Sequence, residues 1–214
     1  MNLRLNIGCG KTPTKGYVNI DNSLSIKLAN SWFLYKVMKF LKLLKPQQIE
    51  NIEWNKKHDI KFSDVTKKIP INDNAAECIY TSHMLEHLSR HGVKIFLKEA
   101  HRVLNENGVI RVAVPDLALH INSYLTEKDA DNFMRGLFVE APPISKFIER
   151  LKLIFIGYRH HQWMYDGKSL CLLLEDAGFK DVVVCDPGQT LIKNPGDLNL
   201  YERSNESVIV EGKK

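Results

Sequence analysis

An α/β fold carrying seven strands is what this sequence predicts. Short apolar runs of strand length alternate with helix-periodic stretches, turn residues punctuate the joins, and a turn-rich stretch separates the last two strand-like runs.

Leu3, Leu5 and Ile7 alternate with Arg4 and Asn6 as the first strand, and Tyr17 to Ile20 form the second. From Leu24 to Lys45 the pattern is helical and bulky, and Pro46 is expected to stop it. Ile60 to Ser63 make a third strand leading into Asp64. Pro70 and the Asn72-Asp73-Asn74 turn precede a fourth, Glu77 to Ser82. Val93, Phe96, Leu97, Ala100, Val103 and Leu104 recur at spacings of three and four, which marks a helix closed by Asn107-Gly108. The fifth strand is Val109 to Val114, cut off by Pro115. Residues 117 to 158 read as mostly helical, broken at Pro142-Pro143, with a very apolar run from Phe147 to Tyr158. Leu170, Leu173, Leu174 and Ala177 mark a helix ended by Gly178, and strands at Asp181 to Cys185 and Ser207 to Glu211 follow.

The 214 residues suit one domain with elaborations, spanning 1–214, with helical insertions at about 22–50 and 117–160. Hydrophobic residues at 44% and charged residues at 26% fit a folded globular chain, with disorder expected only at Gly212-Lys213-Lys214. Four widely spaced cysteines form no CxxC pair, so neither a disulfide framework nor a structural zinc site is expected. With no signal-peptide pattern and no uncharged apolar run of ~18 residues, a cytoplasmic location is expected. The net charge of +5 is unevenly spread: no acidic residue lies between Asp21 and Glu50, while Lys27, Lys36, Lys39, Lys42 and Lys45 all do. That segment reads as a core-packing helix with solvated lysines, as a lid, or as a peripheral contact with anionic lipid. No RNA-binding signature is visible, and nucleic acid is not an expected partner.

Gly8-Cys9-Gly10 ends the first strand, and only Lys11 to Gly16 lie between it and the second, which ends in Asp21. A dinucleotide loop aims a helix N-terminus at its pyrophosphate, and a parallel crossover holding such a helix needs at least about 10–12 residues. The interval is too short for that. A ligand without phosphate is compatible with the loop, because glycine permits close backbone approach and Asp21 can accept two ribose hydroxyl protons. On these residues alone, a plain turn with a capping aspartate fits as well.

The run IPINDNAAECIYTSHMLEHL, then LKEAHRVLNENGVIRVAVPDL and the later HQWMYDGKSLCLLLEDAGF, together with LNIGCG and VNID, resembles class I S-adenosylmethionine-dependent methyltransferases of the type 11 group. The likeness covers about two thirds of the chain, and a compact subgroup shares the shortened loop. It implies a Rossmann-like, mostly parallel seven-stranded sheet with helices on both faces. It also implies S-adenosylmethionine as cofactor, with Gly8 and Gly10 against its methionine part, Asp21 on the ribose, Asp64 on the adenine amino group, Val65 beside the ring and Ser82 near the sulfonium. The acceptor would be an oxygen or nitrogen of a small molecule or glycan. Asn6 stands where an acidic residue is common, and the usual third glycine is absent.

His83, His161 and Asp116 are the candidate general bases, with His87 a further one, because imidazole titrates near neutral pH and burial tunes a strand-end carboxylate. Each also reads, and more readily, as a packing or capping residue. Two other functions stay open: a non-catalytic cofactor-binding or scaffold protein on the same fold, and, remotely, a zinc hydrolase. In the latter, helical HMLEH would present His83 and His87 as ligands and Glu86 as base; no metal is otherwise expected.

Overall fold

The structure is a computed structural model and describes residues 3–140 and 160–214. Seven strands form one sheet: β1 (Leu3–Ile7), β2 (Val18–Asp21), β3 (Ile60–Phe62), β4 (Ala76–Ser82), β5 (Leu104–Pro115), β6 (Lys180–Val184) and β7 (Ser207–Lys213). Their order is β3-β2-β1-β4-β5-β7-β6. Every neighbouring pair from β3 to β5 is parallel, and β7 runs antiparallel to both β5 and β6. The expected mostly parallel sheet is therefore present. β7 continues through Gly212 and Lys213, which pair with Ile110 and Val109, so the disorder expected there is corrected.

One face of the sheet is covered by α4 (Arg90–Val103) and α7 (Gly167–Asp176). Ser89 starts α4 by accepting a hydrogen bond from the Gly92 amide at 3.1 Å. Val93, Phe96, Leu97, Ala100 and Val103 are then buried against Leu5, Ile79 and Ile110, each large side chain contributing about 1.5–3 kcal/mol of burial. Asp166 caps α7 through the Ser169 amide at 2.7 Å.

The opposite face is covered differently. Tyr17, Cys78, Tyr80 and Val109 pack against Ile192 and Leu198, in the turn-rich stretch before β7. A buried ion pair anchors that stretch. Arg111 pairs with Glu211 at 2.5 Å and donates to the Gln189 and Leu200 carbonyls, while Glu211 accepts from Thr190 Oγ1 and the Leu191 amide.

Three elements differ from the sequence reading. The Leu24–Lys45 stretch is two helices, α1 (Leu24–Ala29) and α2 (Trp32–Phe40), and Pro46 opens a third, α3 (Pro46–Asn55), rather than ending one. Proline lacks only an amide that the first helical turn leaves unbonded anyway. β5 begins at Leu104, which pairs with Ala76, so the Asn107-Gly108 turn lies inside the strand's span and does not close α4. HMLEH is not an α-helix: His83 has a φ of 50°, Leu85–His87 form one 3₁₀ turn, and Leu88 is extended before Ser89 caps α4. After β5 come α5 (Leu117–Glu127) and α6 (Ala130–Leu137). The apolar run Phe147 to Tyr158 lies outside the described residues. Among the described residues, no helix is long and apolar enough to cross a membrane.

Candidate active site

The carboxyl ends of the parallel strands meet in a cleft of about 1060 Å³. Gly8 follows β1, Asp21 ends β2, Asp64 and Val65 follow β3, and His83 follows β4; all line it. A doubly wound sheet binds ligands at this position, because the crossovers diverge where strand order reverses between β1 and β4.

Two buried asparagines build the short loop that replaces a crossover helix. Asn6 Nδ2 donates to the Thr12 carbonyl at 3.1 Å and to Thr14 Oγ1 at 3.0 Å. Asn19 accepts from the Thr14 amide at 2.8 Å and donates to the Thr14 and Tyr17 carbonyls. Asn6 thus serves the loop, and the cleft wall beside it is made by Ile7 and Gly8.

Asp21 is held by two amides: Gly10 N–H donates to Oδ2 at 3.0 Å and Ser23 N–H to Oδ1 at 2.8 Å. Gly10 therefore orients the carboxylate and does not itself line the cleft. Asp64 accepts from the Thr66 amide and hydroxyl, at 3.2 and 2.6 Å, and faces Lys67 at 3.1 Å. Burial pushes its pKa up, but these donors outweigh that and hold it below the usual carboxylate range.

The inserted helices supply the rest of the wall: Ser23, Leu24 and Lys27 near α1, Gln48, Asn51 and Ile52 from α3. Buried Leu28, Tyr35 and Ile52 pack these helices together. Asn51 Oδ1 is buried and has no hydrogen-bond partner among the described residues.

Like the further candidate His87, and unlike Asp116 and His161, His83 lines the cleft. Its Nε2 lies 2.8 Å from Ser207 Oγ and its Nδ1 3.5 Å from Glu86. Desolvation, helped by Arg203 and two histidines, lowers its pKa to about 4, so the ring is neutral near pH 7. Asp116 caps α5 by accepting from the Ala118 amide at 2.9 Å and does not line the cleft. Neither do His161 or Ser82. His161 instead sits edge-on to His87, ring centroids 4.9 Å apart, behind the wall that His87 and Gln162 form.

Residues 6–184 match the methyltransferase domain family. The chain belongs to it. Comparison with curated proteins finds no match. Solved structures of the same fold include an S-adenosylmethionine-dependent methyltransferase from Methanosarcina mazei, 14% identical, covering 100% of this chain and 92% of that one at a TM-score of 0.55. Another, from Thermotoga maritima and described as a possible histamine N-methyltransferase, is 14% identical, covers 100% and 83%, and has a TM-score of 0.53. A third, from Archaeoglobus fulgidus, is 14% identical, covers 100% and 86%, and has a TM-score of 0.51. At such identities the likeness establishes the fold, which is that of S-adenosylmethionine-dependent methyltransferases.

The methyltransferase cleft fits that cofactor. A Cβ added at Gly8 would lie 2.9 Å from Met84, so bare backbone forms the cleft wall there. Acceptors for hydroxyl and amino protons stand at Asp21, Asp64 and the unpartnered Asn51 Oδ1. Val65 and Leu88 offer apolar surface. Cleft-lining residues that the sequence reading missed include Gln48, Asn51 and Met84. The first two were legible as one helix face, three residues apart, had Pro46 been read as a helix start.

Proposed function

We propose that this chain transfers the methyl group of S-adenosylmethionine to an oxygen or nitrogen of a small molecule or glycan, as a single-domain cytoplasmic enzyme of the type 11 group. The observation that supports it is the convergence of Gly8, Asp21, Asp64 and Val65, from three successive strand ends, on one cleft.

In this reading Asp21 would hold the ribose hydroxyls and Asp64 the adenine amino group, with Val65 against the ring and the Gly8 backbone beside the amino acid end. When bound, the cofactor supplies an electrophilic methyl on its sulfonium. The chain's own contribution is alignment and exclusion of water: Met84, Leu88 and the α1–α3 wall shape the space, and a well-placed acceptor gains most of its rate from orientation. His83, on the wall, is the base for a hydroxyl acceptor; Asp116 and His161 support the surrounding structure.

Titration calorimetry with S-adenosylmethionine tests the reading. Wild-type protein binds one equivalent, and Asp21→Ala weakens binding by about 1–3 kcal/mol through lost hydrogen bonds. No binding to folded wild-type protein refutes it. Binding without turnover over a panel of hydroxyl and amine acceptors would instead favour a scaffold.

We also propose that α2 rests on an anionic lipid surface. Trp32, Phe33 and Phe40 are 68%, 72% and 86% exposed, among Lys36, Lys39, Lys42 and Lys45. Co-sedimentation with phosphatidylserine vesicles, reduced in Lys36→Glu/Lys39→Glu, supports this; equal recovery with neutral vesicles overturns it.

A further inference from the structure

Behind the cleft wall, Glu86, His87 and His161 bring three ligand atoms within 4.8 Å of one another. Glu86 is fully buried, and neither carboxylate oxygen has a hydrogen-bond partner among the described residues. Its contacts with His83 Nδ1 at 3.5 Å and His87 Nε2 at 3.8 Å are too long to satisfy it. The nearby Arg203 bonds to Glu206 and not to Glu86. His161 Nδ1 is buried and equally unpartnered among the described residues. Leaving such groups buried and unsatisfied is costly unless something else engages them.

We infer that Glu86, His87 and His161 bind a divalent transition-metal ion, of which zinc is the representative. Two imidazole nitrogens and one carboxylate oxygen are a donor set of the kind such ions take, with further positions left for water or a ligand. The histidine chemistry agrees. His87 Nδ1 lies 3.3 Å from the His160 carbonyl, an acceptor that requires the proton on Nδ1 and leaves the Nε2 lone pair facing Glu86.

The backbone is already fixed for the task. Gln162 and Trp163 amides both donate to the Glu86 carbonyl, at 2.7 and 3.3 Å, and Gln162 Nε2 donates to the His87 carbonyl at 2.7 Å. These bonds strap the segment carrying His161 onto the 3₁₀ turn carrying Glu86 and His87. Donors ~2.0–2.2 Å from zinc lie about 3.4 Å apart, so the three side chains need to draw in by roughly 1 Å, within reach of their rotamers. A buried carboxylate with no hydrogen-bond partner among the described residues is compensated by an adjacent cation, which a bound metal ion would provide. This departs from the expectation that the chain has no metal. It also differs from the HMLEH reading, since His83 turns to Ser207 and His161 takes its place.

Metal-stripped protein titrated with Zn²⁺ tests the inference, with Co²⁺ absorption as a second readout and circular dichroism confirming that each variant folds. One ion per chain, a raised melting temperature and ligand-field bands from bound Co²⁺ are expected. Glu86→Gln and His161→Asn should each weaken the ion at least tenfold, as losing even an outer-shell partner costs ~10–100-fold. His83→Asn, which removes a neighbour of Glu86 but no ligand, should weaken the ion less than either. No stoichiometric binding, unchanged affinity in both ligand variants, or loss of binding in His83→Asn alone would overturn the assignment. Calorimetry with S-adenosylmethionine on the same samples keeps a failure here separate from a failure of the methyl-transfer reading.

Discussion

Replacing Gly8 with alanine tests whether bare backbone forms the wall of the cleft. Gly8 and Gly10 both have positive φ, 74° and 51°, so alanine at either pays about 1–2 kcal/mol for the left-handed conformation. Their surroundings differ. A Cβ on Gly10 meets nothing within 4 Å, whereas one on Gly8 lies 2.9 Å from Cβ, Cγ and Sδ of Met84. The sulfur can rotate away, but the Met84 Cβ moves only with the backbone of the turn after β4. That overlap adds an overpacking cost of about 1–3 kcal/mol. Gly10→Ala should therefore destabilise the chain by about 1–2 kcal/mol and Gly8→Ala by about 2–5 kcal/mol. Urea unfolding followed by circular dichroism measures both, and calorimetry should show the larger loss of S-adenosylmethionine affinity in Gly8→Ala, because Met84 is displaced along the cleft it lines. Equal destabilisation by the two substitutions would refute the steric argument.

Asn6→Ala should cost about 1–2 kcal/mol by stripping Thr12 and Thr14 of their donor, with faster proteolysis of the 8–16 loop as the visible sign; an unchanged cleavage rate would count against the asparagine as its fastening. Glu211→Ala should cost about 3–5 kcal/mol because it strands the Arg111 charge, and Arg111→Met/Glu211→Leu should recover much of that in chemical denaturation. The Arg102 guanidinium holds the Glu99 carboxyl below the usual carboxylate range. A depressed folded pKa gives stability that is present above the unfolded value of ~4.3 and lost as pH falls through the folded one. Glu99→Gln should flatten the acid limb of a melting-temperature profile below about pH 4 and leave its shape above pH 6 unchanged.

Strands and the best-marked helix were legible because their burial is one-sided and periodic: Leu5 and Ile7 in β1, and Phe96, Leu97 and Ala100 in α4, point into one core. Asp21, Asp64 and Gly8 were legible because strand ends in such a sheet converge, which order along the chain encodes. Pro46 misled because proline suits a helix start as well as a stop, and the surrounding residues decide: the Gln48 side chain accepts from the Lys45 amide at 2.9 Å. HMLEH misled through its spacing, since a left-handed His83 and an extended Leu88 confine the turn to three residues. The meeting of Glu86 with His161 was not legible at all; it depends on hydrogen bonds between segments 75 residues apart.

The cover over Tyr17, Cys78 and Tyr80 comes from the stretch around Ile192 and Leu198, and Tyr17 must wait 178 positions for the Pro195 carbonyl its hydroxyl bonds at 2.8 Å. A ribosome therefore has to release the stretch around Ile192 and Leu198 before that side of the sheet can close. During synthesis β1, β2 and β4 hold a half-finished, greasy surface, and the slow step is recruitment of distant sequence rather than growth of local helices. Nascent chains of this protein should accordingly be chaperone clients until that stretch has emerged.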